Sequence, residues 1–124
     1  MRDYNPRWID RVTYNRIVWA IRDYYNLKER YQAILDESSS GTGGGSRSSL
    51  TSDNTGAKAV KLVDISKQLD AIEKAQQSIP DEYMQGVWNS LVYRKPYPLD
   101  ADRTTYSRWK RIYIIDVGKR LGYL

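Results

Sequence analysis

The chain has no cysteine, no histidine and no phenylalanine in 124 residues. Without cysteine there is no disulfide framework, thiol nucleophile, zinc finger or iron–sulfur site. Without histidine there is no Ser-His-Asp triad, no His-ligated metal and no imidazole general base. Long apolar runs are missing too. No stretch of about 18 apolar residues exists, so no transmembrane helix is expected. The start, Met1-Arg2-Asp3-Tyr4, has no apolar core of the kind a signal peptide needs. These absences favour a cytoplasmic protein that binds rather than catalyses, with no cofactor and no metal.

What is present is aromatic and basic. The chain has 11 Tyr and 4 Trp, and 20 Lys+Arg against 15 Asp+Glu, a net charge of +5. The excess is local. Residues 1–37 are nearly neutral at +1, 38–56 are neutral, and 57–93 stand at −1. Residues 94–124 hold eight basic and three acidic side chains and carry the whole +5. A basic block on one helix suits a polyanion partner; the plainer reading is a solvated cationic face.

Residues 38–56 are mostly Ser, Gly and Thr, the composition of a flexible linker. They separate an N-terminal helical arm, 1–37, from a C-terminal module, 57–124. In the arm, Asn5 suits an N-cap and Pro6 a first helical position. Tyr14, Ile17, Ile21, Tyr24, Tyr31 and Leu35 recur at helical spacing and form one apolar stripe. Trp8, Val12 and Trp19 fall on the other side, and an arm with two apolar faces must bury both. One face can meet the module. The other is left for a hairpin within the arm or for a second chain. Asp23-Tyr24-Tyr25-Asn26 is a candidate break that would give two antiparallel helices.

A third helix is expected over 57–78, with Leu62, Ile65, Leu69, Ile72 and Gln76 on its face and alanines adding propensity. Ser78-Ile79-Pro80-Asp81-Glu82 reads as a helix start, with acids at the positive end of the dipole. Tyr83, Val87, Trp88, Leu91 and Val92 mark that helix, and Pro96 and Pro98 end it. The last helix begins near Asp102, Thr104 or Thr105 and stops at Gly122. No segment alternates with period two, so the fold class is all-α.

On the last helix, Tyr106, Trp109, Tyr113, Val117 and Leu121 form the core stripe. Thr104, Arg108, Arg111 and Lys119 lie opposite. Lys110 and Arg120 flank the core, where long stems reach solvent. In a helix-turn-helix the N-terminal part of the second helix meets bases and phosphates. Arg reads guanine edges, and Ser and Thr contact phosphates. Ile112 and Ile115 face the polar side of this wheel, which marks them, with Trp8, Val12 and Trp19, as partner-binding residues. Asp100 and Asp102 near the helix start suit a Mg²⁺ pair or, preferably, capping. Gly43-Gly44-Gly45-Ser46 lacks the Lys-Ser/Thr of a phosphate loop. Most tyrosines fall on helix stripes and suit core packing more than base stacking.

At this point the layout resembles small phage transcriptional regulators of the RinA/ArpU type. The stretches that carry the resemblance are Ala71-Ile72-Glu73, Ser78-Ile79-Pro80-Asp81-Glu82-Tyr83 and Trp88-Asn89-Ser90-Leu91-Val92-Tyr93. Thr104-Thr105-Tyr106-Ser107-Arg108-Trp109-Lys110-Arg111, continuing to Val117-Gly118-Lys119-Arg120-Leu121-Gly122, is similar to the recognition helix of a sigma-factor region 4 module. The motifs are short and cover about half of the chain. Lys95-Pro96-Tyr97-Pro98-Leu99-Asp100-Ala101 departs from the pattern, because two prolines replace a short helix. The resemblance implies a helix-turn-helix-like module, a homodimer, binding to double-stranded DNA and activation of late phage genes. It places DNA contact on Thr104, Thr105, Ser107, Arg108, Lys110 and Arg111. Two other readings stand beside it. One is a phage-encoded inhibitor of a host nucleoprotein such as a CRISPR effector; the other is a DNA-packaging adaptor.

Overall fold

The computed structural model describes residues 9–40 and 48–124, and it consists of five α-helices. They are α1 (Arg11–Arg22), α2 (Tyr24–Ser40), α3 (Ser48–Gln76), α4 (Asp81–Tyr93) and α5 (Arg103–Leu121). No strand occurs among the described residues, so the chain is all-α as its periodicity indicates. None of these helices is long and apolar enough to cross a membrane.

The arm begins later than Asn5 and Pro6 suggest; those two lie outside the described residues. Asp10 is the N-cap of α1. Both of its carboxylate oxygens accept from the Thr13 N–H, at 3.2 and 3.3 Å, and the Thr13 hydroxyl donates to Oδ2 at 2.9 Å. Such a cap is worth about 1 kcal/mol. The candidate break falls at Asp23, a single residue between α1 and α2. The Asp23 N–H bonds the Trp19 carbonyl at 3.0 Å, and the Leu27 N–H bonds the Asp23 carbonyl at 2.9 Å. The ladder thus crosses the junction, whereas an antiparallel pair needs a loop of two or more residues. Beyond that junction α1 packs on α4 and α5, and α2 packs on α3.

Part of the Ser/Gly/Thr segment is helical. α2 runs to Ser40 and α3 starts at Ser48, while 41–47 lie outside the described residues. Extending an existing helix adds one hydrogen bond per residue fixed, so poor helix formers can follow a packed one. On α3, Ile65 and Ile72 are buried as expected. Ala71 and Ala75 are buried as well, so they serve packing and not propensity alone. α3 closes with short-range bonds from the Gln77, Ser78 and Ile79 N–H groups to the Lys74, Ala75 and Gln76 carbonyls, which satisfy the helix end.

α4 starts just after Pro80, whose carbonyl accepts from the Tyr83 and Met84 N–H groups. It ends before either proline. Arg94 adopts the left-handed conformation, φ 56° and ψ 34°, and the Lys95 N–H reaches back to the Asn89 carbonyl at 3.1 Å. Gly122, at φ 82°, closes α5 in the same way, with the Tyr123 N–H on the Gly118 carbonyl at 2.8 Å.

One buried cluster unites arm and module. Ile17, Val18 and Ile21 of α1 and Tyr24 of α2 join Ile72, Val87, Leu91, Tyr106, Tyr113 and Val117. Polar ties reinforce it. Arg22 Nε donates to the Leu91 carbonyl in the last turn of α4 at 2.7 Å, supplying a donor to a helix end short of partners. The Tyr24 hydroxyl donates to Glu73 at 2.6 Å, which links α2 to α3. Trp88 meets Tyr24 edge-on, with ring centroids 5.2 Å apart.

Gly86 sets how closely α4 and α5 approach. A Cβ there would lie 2.6 Å from Tyr106 Cε1 and 2.8 Å from Pro98 Cδ, both ring atoms with little freedom to yield. Gly86→Ala is therefore expected to destabilise by about 1–3 kcal/mol from overpacking, against a propensity gain of about 1 kcal/mol. Urea unfolding checks this, and a stabilised variant would mean that the rings can move aside.

Candidate nucleic-acid interface

The N-terminal half of α5 is held by its aromatic side. Tyr106 is fully buried. It stacks on Tyr97, centroids 5.3 Å apart, and meets Tyr83 edge-on at 5.5 Å. Its hydroxyl donates to Asp100 Oδ1 at 2.6 Å. That bond pushes the Tyr106 hydroxyl up to about 12, with burial as the second cause, because the carboxylate disfavours a phenolate beside it. Asp100 thus anchors the connector to α5. Asp102 is the residue before the helix, but its side chain makes no capping bond. The capping role expected of this pair is corrected accordingly: Asp100 engages a hydroxyl, and Asp102 contributes its carbonyl to the Thr105 and Tyr106 N–H groups. No group of three or more acidic side chains among the described residues could hold a metal ion.

With one side of α5 sealed, the six expected DNA-contact residues separate. Thr104, Arg108 and Arg111, at i, i+4 and i+7, share one exposed face. No ion pair within the described residues engages Arg108 or Arg111. Thr105 and Ser107 are half-buried on the flanks. Lys110 is a correction. It is 5% exposed, its Nζ donates to Ser90 Oγ at 3.0 Å, and it lies 5.7 Å from the Tyr97 ring centroid. The helical wheel put it on a flank with a route to solvent. The connector folds Tyr97 across that route, so Lys110 is an interior tie between α4 and α5 and not a surface contact.

The expected partner-binding residues divide as well. Val12 is 71% exposed and Trp19 60%, on the side of α1 away from the core. Trp8 lies outside the described residues. Arg22 sits over the Trp19 ring at 5.4 Å. Ile112 is partly buried and packs against the main core, so no second chain is needed to cover it. Ile115 is half-buried on the same face as Arg108 and Arg111.

Some of the basic surface escaped the sequence reading. Arg94, Lys95 and Arg103 converge on a cleft between the end of α4 and the start of α5. The prolines on either side of Tyr97 were a signal that the connector has a fixed shape, though not of where it points. The tight turn of a helix-turn-helix takes three or four residues, whereas α4 and α5 are joined by residues 94–102.

No known family model matches the sequence, and no curated protein or solved structure matches it.

Tyr106→Phe is expected to cost about 1 kcal/mol at neutral pH, the net worth of one hydrogen bond. The pH dependence has a definite sign. A tyrosine whose folded pKa is raised stabilises the fold fully below its unfolded value of 10.0, and that contribution is lost as pH rises toward about 12. Thermal melts across that window should fall less steeply for the Phe variant than for the parent.

Proposed function

We propose that the chain binds double-stranded DNA through the exposed face of the N-terminal half of α5, with Thr104, Arg108 and Arg111 as its contacts. The observation that carries this reading is the pair of arginines on one face, free of ion pairs within the described residues and backed by a rigid aromatic core. A rigid presenting element keeps such contacts in register. The function this supports is that of a transcriptional regulator of late phage genes, acting in the host cytoplasm, as the RinA/ArpU-like layout implies. The long connector means that α5 would enter a groove without the tight turn of a standard helix-turn-helix.

Phosphate contacts release counterions, so binding should weaken with salt. In fluorescence anisotropy with duplex DNA, Arg108→Ala combined with Arg111→Ala should weaken binding by about 1–3 kcal/mol for each base no longer read. It should also lower the salt slope by about one unit for each phosphate no longer neutralised. The melting temperature should hold, because both side chains are exposed. Unchanged affinity and slope would refute the proposal.

A second reading rests on Val12 and Trp19. Two large apolar side chains this exposed on one helix suit a protein partner, whether a second copy of the chain or a host nucleoprotein that it inhibits. Should the partner be a second copy, light scattering would give a dimer for the parent and a monomer for Val12→Ser with Trp19→Ser. A parent that stays monomeric at high concentration removes the homodimer.

A further inference from the structure

The connector cleft has features that DNA contact by Thr104, Arg108 and Arg111 does not use. It is an open cleft of about 540 Å³, within the range of small-ligand sites. Three cations, Arg94, Lys95 and Arg103, line it and no acidic side chain does. Its remaining wall is largely apolar, from Tyr97, Pro98 and Leu99. Behind it lies the buried Lys110, whose Nζ bonds Ser90 Oγ and faces Tyr97, and both of those residues line the cleft.

Two further observations point to an occupant. Leu99 is 101% exposed, so an apolar side chain at the cleft has nothing over it. Arg94, moreover, holds a left-handed conformation that glycine would adopt without a side-chain penalty. Because Arg94 ends α4 in that conformation, its backbone is fixed by the helix end and its guanidinium leaves from a set point on the wall of the cleft.

We propose that this cleft binds a nucleotide-sized organic phosphate. Its phosphate would meet Arg94, Lys95 and Arg103, and its ring system would cover Leu99 and the proline wall. Three cations on one cleft suit the greater charge and the additional oxygens of a phosphate better than a single carboxylate. A phosphate can come from a free nucleotide or from a nucleic-acid backbone, and the proposal is the free nucleotide. It is independent of DNA binding by Arg108 and Arg111.

The test is amide-shift NMR on the full chain titrated separately with AMP, inorganic phosphate and a short DNA duplex. AMP should shift the amides of Arg94, Lys95, Leu99, Ala101 and Arg103 saturably, and more tightly than inorganic phosphate. Arg94→Gly and Arg103→Gln should each weaken AMP binding about tenfold. Arg94→Gly should also keep the parent melting temperature, because glycine suits the backbone there, and that separates impaired binding from impaired folding. Arg108→Ala with Arg111→Ala should leave AMP binding unchanged, whatever it does to DNA. Unshifted amides with AMP, parent-like affinity in both cleft variants, or equal binding of inorganic phosphate would overturn the proposal. Shifts with the duplex alone would assign the cleft to the DNA backbone and overturn it too.

Discussion

The contact between Tyr106 and the bare backbone at Gly86 is the constraint on which the rest depends. With no side chain on α4 at that point, the Tyr106 ring can come close to the helix while it stacks on Tyr97, with Pro98 alongside. The same ring holds Asp100 by its hydroxyl. One aromatic residue therefore fixes the connector, the start of α5 and the spacing between α4 and α5. The positions of Arg103, Thr104, Arg108 and Arg111 all follow from it, because they project from a helix whose entry point is pinned on three sides. The function proposed for the arginine face and the ligand proposed for the cleft share this one support.

Much of the fold was legible from periodicity and punctuation. The α5 stripe of Tyr106, Tyr113 and Val117 and the stop at Gly122 rest on local rules, and local rules held. The failures have a common cause. Lys110 looked solvent-bound because a helical wheel contains only its own helix, and the burying group, Tyr97, comes from the connector. Ile112 looked like a partner contact for the same reason. Asp100 looked like a cap because its real partner is six residues away on a ring that the sequence could only call core. Arg94 gave no signal at all, since nothing in its neighbours dictates a left-handed turn.

Charge behaves in the same way. The sequence places the whole net +5 in residues 94–124, and the structure divides that block among different surroundings. Arg108 and Arg111 face solvent, Arg94, Lys95 and Arg103 line a cleft, and Lys110 is interior. Arg120 is occupied by Asp116 at 3.1 Å. A basic segment read as one surface is thus several, and only part of it is available to a polyanion.

The α2–α3 pair is built differently along its length. Near the core it is tied by buried Leu27, Ile65 and Ile72 and by the Tyr24–Glu73 bond. Further out, Val60 and Val63 are exposed, Leu35 is at the surface, and the tie is the ion pair between Glu37 and Lys58 at 2.8 Å. Exposed ion pairs contribute little. Among the described residues, the stretch from Leu35 to Glu37 and from Lys58 to Val63 therefore adds less to stability than the stretch around Leu27 and Ile72. Leu35, Glu37, Lys58, Val60 and Val63 therefore lie beyond the buried cluster that Tyr106 anchors, and a change at any of them leaves α4 and α5 as they are.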